Sequence, residues 1–194
     1  MLTVRSAELR LALAPRDTYA ALVRLPARGT SWVAVRRPLL GTAVLGASMA
    51  ISATGGVTPA LLLSTTICWS LVVLIQVAVA LSFIATATPR TVGLPRALDL
   101  FFASHAPWSI WMLVVAAWGA SPLGRPSWPM LATAAVPITL TLRTLVAFFR
   151  EVLGMNPRHA IARVAAHQAI TWSLFVVLFG TAVQLWPRIL EWIS

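Results

Sequence analysis

Apolar runs long enough to cross a bilayer alternate with short segments that hold nearly every ionisable residue, and no other feature limits the fold of this chain so tightly. The first run occupies 38–54, behind Arg36 and Arg37 and ahead of Gly55-Gly56. At 1.5 Å per residue it covers roughly 26 Å, close to the hydrocarbon thickness of a membrane. A second run begins at Pro59 and continues to residue 86. The uncharged turn around Gly55, Gly56 and Val57 predicts an antiparallel hairpin of the two. A third run covers 104–119, extended at its start by the helix-compatible stretch 97–105. A fourth covers 128–146, with Arg143 near the boundary, and a fifth covers 165–186.

Composition agrees with this pattern. Of 194 residues, 59% are hydrophobic and 10% are charged, too apolar a mixture for a water-soluble domain of this length. The expected fold is an all-α integral membrane bundle of five transmembrane helices (38–54, 60–86, 104–119, 128–146 and 165–186). Residues 1–37 form a cytoplasmic and interfacial segment, and 38–194 form the membrane domain. Arg5, Glu8, Arg10, Arg16 and Asp17 interrupt the N-terminal stretch, so insertion is expected to rely on the first span and not on a signal peptide.

The net charge of +10 comes from 15 arginines against five acids. On a soluble chain that balance would point to nucleic acid, but here the arginines cluster at the ends of apolar runs. A guanidinium there reaches lipid phosphate while its stem lies along the hydrocarbon boundary, so membrane lipid is the expected partner and nucleic acid is not. Arg36, Arg37, Arg143, Arg158 and Arg163 are the candidate lipid-phosphate contacts.

The arginines also orient the chain, because cytoplasmic loops carry the excess of positive charge. Arg5, Arg10, Arg16, Arg24, Arg28, Arg36 and Arg37 precede the first span; Arg90 and Arg96 lie in the second loop, and Arg143, Arg150, Arg158 and Arg163 in the fourth. Thirteen arginines thus share one side, against Arg125 and Arg188 on the other. Five spans with a cytoplasmic N-terminus and a periplasmic C-terminus, in a cell's inner membrane, satisfy that division. Trp118, Trp128, Trp186 and Trp192 fall at the outer ends of spans and Trp32 at an inner end, where indole rings favour the interface. Trp69, Trp108, Trp111 and Trp172 lie deeper and are expected to pack between helices.

Within 16–25, Tyr19, Leu22, Val23 and Leu25 recur at helical spacing beside arginines, which predicts an interfacial amphipathic helix ended by Pro26. Gly29 and Thr30 follow as a loop, and Pro122 to Pro129 form a proline-punctuated external loop. In the fourth loop, Gly154 is placed to cap one helix while Asn156-Pro157 supplies an N-cap and a first-turn proline for the next.

Chemistry-bearing residues are sparse. The single cysteine, Cys68, excludes an internal disulfide, and three scattered histidines make no metal set, so no metal, cofactor or catalytic residue is expected. All five acids are assigned to the N-terminal segment, the loops or the C-terminal tail, which leaves no intramembrane carboxylate for a proton-coupled carrier. His105, ahead of Ala106-Pro107-Trp108, and Gln76, deep in the second span, form the candidate intramembrane polar site. Gln76 is expected to make an interhelical hydrogen bond. His159 and His167, eight apart, share a helix face. Thr42, Gly46, Ala50 and Thr54, with Ala78, Ser82 and Thr86, form small-residue strips that let helix backbones approach.

Pro15-Arg16-Asp17-Thr18-Tyr19, Arg37-Pro38-Leu39-Leu40, Ala106-Pro107-Trp108 and Arg150-Glu151-Val152-Leu153-Gly154, followed by the stretch 157–163, resemble the bacterial branch of the Yip (Ypt-interacting protein) family over about residues 15 to 186. That resemblance implies five spans. Eukaryotic members bind prenylated small GTPases and carry an acidic aromatic-glycine-proline sequence that is absent here, so GTPase binding is not carried over. The expected function is a non-enzymatic membrane protein that binds lipids, other membrane proteins or further copies of itself. The alternative is a small permease or channel, as an oligomer, with a path between the helices.

Overall fold

A computed structural model describes residues 7–25, 31–87, 92–121 and 128–193, and all its regular elements are helices. In chain order they are α1 (Ala7–Leu13), α2 (Pro15–Arg24), α3 (Ser31–Thr54), α4 (Pro59–Ala85), α5 (Leu94–Ala103), α6 (Ala106–Ala120), α7 (Trp128–Ala132), α8 (Ala135–Glu151) and α9 (Pro157–Ile193). Prolines set many of the starts: Pro15, Pro59, Pro95, Pro107 and Pro157 all occupy the first turn of a helix, where the missing N–H has no carbonyl to meet. The Thr58 hydroxyl accepts the Leu61 N–H at 3.3 Å and caps α4. Asn156 Oδ1 accepts the His159 N–H at 2.9 Å and caps α9, as its sequence predicts. Gly55 and Gly154 take positive φ (72° and 67°) at the α3–α4 turn and after α8, a backbone conformation that favours glycine.

Two helices, α4 and the Pro157–Ala182 part of α9, are long and apolar enough to cross a membrane. The pair α5–α6 makes a third crossing if its 41° bend is taken within one span. The third run is therefore two helices meeting at Ser104-His105, with His105 preceding the first turn of α6. The fourth run differs from expectation. α7 stops at Ala132 and α8 begins at Ala135, because the Pro137 ring would clash with the carbonyl of Thr133 in a continuous helix. α8 has 17 residues and runs on to Glu151. The N-terminal segment adds α1, a helix not foreseen. The expectations on Arg5, Arg28, Arg90, Arg125, Pro26, the Gly29-Thr30 loop and the 122–127 part of the external loop lie outside the described residues.

Five helices close a ring: α3 packs on α4, α4 on α9, α9 on α8, α8 on α6, and α6 back on α3. The first of these contacts is the tightest. A Cβ on Gly46 would stand 2.7 Å from Thr66 Cα, and the Thr65 hydroxyl donates to the Gly46 carbonyl at 2.9 Å, so the small-residue strip of α3 lets the α4 backbone come close. Helix α5 packs across α3, α4 and α8, while α1 and α2 lie against α8. At this end sits a dense core of Leu11, Tyr19, Phe101, Phe148, Phe149 and Leu153. Tyr19, Leu22 and Val23 of the apolar face of α2 pack into this core, while Leu25 stays 47% exposed, so much of the face expected at the interface is covered by protein. Tyr19 is wholly buried, its hydroxyl donating to the Leu100 carbonyl at 3.0 Å and its ring edge-on to Phe148. Burial raises that phenol above its ordinary value of 10.0, with the charge of Arg37 opposing.

The outer faces have the opposite character. Leu63, Ile67, Leu71 and Leu74 on α4, and Ile110, Val114 and Trp118 on α6, are exposed at helical spacing and form apolar stripes. Apolar patches of this extent are rare on proteins surrounded by water.

Candidate functional site

Hydroxyls on helices ordinarily donate to a carbonyl one turn back, and in α8 Thr139 and Thr144 do so, to Ala135 and Leu140. Thr141, between them, does not. It is 8% exposed, and its Oγ1 meets no hydrogen-bond partner among the described residues. Thr171 on α9 is in the same condition at 4% exposure. One turn before it, His167 is 1% exposed, and neither of its ring nitrogens has a partner. A neutral imidazole offers one donor and one acceptor, and an unmet buried polar group costs about 1–3 kcal/mol.

These three side chains line one partly open cavity of about 320 Å³ between the helices of the ring. Gly41 and Leu45 of α3, Val72, Val73 and Gln76 of α4, Phe102 of α5, and His105, Trp108, Ser109 and Met112 from the α5–α6 junction and α6 complete much of the wall. Ile138 and Leu142 of α8, with Gln168, Trp172 and Phe175 of α9, close it. Gln76 and His105, the intramembrane polar site expected from the sequence, therefore face the same space. Gln76 makes no interhelical hydrogen bond among the described residues, and it points into the cavity lining instead. Phe101 links the buried His167 to the partly exposed His105, its ring centroid lying 5.1 Å from the first and 5.2 Å from the second. His105 Nδ1 is 3.1 Å from the Ser104 hydroxyl. His159 is exposed at the start of α9, so the pair that meets is His105 with His167.

Among the described residues, none lining this space is an acid or an arginine. No group of three or more metal-ligating side chains occurs among the described residues. What the lining offers is a set of neutral donors and acceptors, on α8 and α9 and on the facing α4 and α6, set among apolar side chains.

The charged groups are gathered elsewhere, around a buried carboxylate that sequence reading placed in a loop. Asp99 lies within α5 at 0% exposure. Arg36 grips it with two hydrogen bonds, Nε to Oδ1 at 2.8 Å and Nη2 to Oδ2 at 3.0 Å. Arg37 Nη1 and Arg96 Nη1 approach Oδ2 at 2.6 and 3.2 Å, and Arg37 also holds Glu8 at 2.8 Å. Arg36 and Arg37, the candidate lipid-phosphate contacts, thus pair with protein carboxylates through charge-assisted hydrogen bonds, while the Arg36 side chain stays 40% exposed. The signal was available in the sequence: Asp99 stands alone in the apolar stretch 97–103.

The remaining candidates stay near the surface. Arg158 is exposed at the start of α9. Arg143 is exposed and donates to the Leu13 carbonyl at 3.1 Å, at the end of α1. Arg163 donates to the Thr86 hydroxyl at 2.9 Å and lies over the Phe83 ring.

No protein-family model, no curated protein and no solved structure matches this chain.

Proposed function

We propose that this chain is a non-enzymatic inner-membrane protein of five crossings that holds lipid between its helices, in the manner of a Yip-like accessory or membrane-organising protein. The observation that carries the reading is an inversion of polarity: unpartnered donors and acceptors line the space inside the ring, whereas the outer faces of α4 and α6 are apolar. α3 and α8 complete five crossings beside α4, α9 and the bent α5–α6 pair. The apolar part of α3 behind Arg37 is 17 residues, just short of a flat bilayer, and α7 together with the part of α8 ahead of Arg143 makes the fourth crossing. The N-terminus is cytoplasmic, with α1 and α2 at the inner surface beside Arg143 and Glu151, and the C-terminus is periplasmic.

Purification in native membrane patches, followed by mass spectrometry of copurified lipid and protein, tests the function. A lipid retained through exchange into detergent, or a stoichiometric membrane-protein partner, supports it; a delipidated, partnerless protein of undiminished stability overturns it. A reporter fused after Ser194 should be active in the periplasm, and cytoplasmic activity would refute the five-crossing topology.

The closed ring favours one second reading. The cavity lined by Gln76, His105, His167 and Gln168 lies within a single chain, so a small permease built around it would need no oligomer. Solute flux into liposomes that is lost on His105→Ala would select that reading over lipid holding.

A further inference from the structure

We infer that the ring cavity receives a single-chain, uncharged amphipath, whose hydroxyl or carbonyl head is bonded by Thr141, His167 and Thr171 and whose chain leaves between α8 and α9. This rests on the lipid-holding reading above and specifies the ligand of the same site.

The argument for neutrality starts from the donor set. Thr141, His167 and Thr171 present both donors and acceptors, all buried and all without partners, which suits a head group that both gives and accepts a hydrogen bond. A formal charge in this space would have no counter-charge. The two nearest arginines along α8 and α9 are turned away, Arg143 to the Leu13 carbonyl and Arg163 to Thr86 and the Phe83 ring. Desolvation of an unpaired ion is far more costly than that of a hydroxyl, so phosphate and carboxylate heads are rejected.

Size and shape give the rest. A cavity of about 320 Å³ is at the small end of the range for ligand sites, room for one head and the start of one chain, not for the paired chains and large head of a phospholipid. The way out is marked by residues that line the cavity and are also exposed on the outer surface. Ile138 and Leu142 of α8 (42% and 37%) and Trp172 of α9 (53%) have both properties. An acyl or isoprenoid chain passing between them would enter the surrounding hydrocarbon directly. Water alone would satisfy the polar atoms but leave Leu45, Val72, Val73 and Phe175 wetted, whereas an amphipath covers both kinds of surface.

The test uses the full-length protein in nanodiscs with a photoactivatable long-chain alcohol, the matching long-chain carboxylate and a photoactivatable phosphatidylglycerol. Saturable labelling of α8 and α9 by the alcohol is expected, with the carboxylate at least about tenfold weaker. Thr141→Val and Thr171→Val, which replace a hydroxyl by a methyl, should each weaken alcohol binding by about tenfold. They should also raise the melting temperature of the lipid-free protein, because each removes an unmet buried polar atom. A hydroxyl with a purely structural role would lower it. If the carboxylate or phosphatidylglycerol labels the cavity as well as the alcohol does, the neutral-amphipath inference is overturned while lipid holding stands. If no probe labels the cavity saturably, both are overturned.

Discussion

Replacing Asp99 by asparagine keeps the shape of the side chain and removes the charge on which three guanidinium groups converge. The consequence follows from the geometry. Asparagine Oδ1 can still accept from Arg36 Nε, at 2.8 Å in the native protein, but the amide nitrogen then faces Arg37 Nη1 and Arg96 Nη1, which stand 2.6 and 3.2 Å from Oδ2. Donor meets donor, and three positive charges are left with Glu8 alone. Removing one partner of a buried ion pair costs about 3–5 kcal/mol. Here the Arg36 side chain is 40% exposed and its share is screened by solvent, whereas Arg37 and Arg96 are 17% and 21% exposed and bear most of the loss. The expected penalty is therefore about 3 kcal/mol, the low end of that range. For a chain of this length that is roughly 6–12 °C in Tm. Thermal loss of monodisperse elution in detergent measures it. Glu8→Gln is the reference, since Glu8 is 33% exposed and its partner among the described residues is Arg37; it should cost about 1 kcal/mol or less. An Asp99→Asn protein melting within about 2 °C of the native one would refute the assignment of Asp99 as the shared counter-ion.

Gly46→Ala sets a methyl carbon 2.7 Å from Thr66 Cα, a backbone atom that cannot turn aside, and should destabilise the α3–α4 contact by about 1–3 kcal/mol; an unchanged Tm would show that the backbones do not approach so closely. Tyr19 is the one tyrosine of the chain, so ultraviolet difference spectroscopy of phenolate reports on it alone. Burial raises its folded-state value above the ordinary 10.0, so its contribution to stability is complete below that pH and is lost as pH rises beyond it; no phenolate should appear until the protein unfolds, and a smooth titration centred near 10.0 in the folded protein would contradict its burial.

Much of the fold was legible where it depends on local backbone chemistry. Pro59 and Pro157 announce helix starts, Gly55 and Gly154 turns, and Asn156 a cap, because each acts on its own neighbours in the chain. The break at 133–134 obeyed a local rule too, yet the apolar run 128–146 concealed it: hydropathy averages over the segment, whereas the Pro137 ring acts on one carbonyl four residues back. Long-range placements were less legible. The helical spacing of Tyr19, Leu22 and Val23 predicts an apolar face on α2, but the same face suits lipid or protein, and only the position of α8 decides that Tyr19 enters the core. Of the polar site, Gln76 and His105 stand out because such residues are scarce in apolar runs. Thr141 and Thr171 do not, since helix threonines usually bond to their own backbone and sequence does not say which rotamer each adopts.

The buried ion cluster and the cavity are joined by a single short helix. Asp99 and Phe102 are three residues apart in α5, which has only ten residues. Asp99 is tied to Arg36 and Arg37 of α3 and Arg96 of its own helix, while Phe102 forms part of the cavity wall and Phe101 packs against both His105 and His167. Arg36 and Arg37 thus hold in place the helix that bounds the site within. The two halves of the structure are then separable by experiment. Asp99→Asn should lower Tm and amphipath binding together, because it releases the wall. Thr141→Val should move them in opposite directions, because it alters only the hydrogen bonds that a ligand would complete. A Thr141→Val protein that loses stability and binding in parallel would mean that the unmet hydroxyl is part of the scaffold and not of the site.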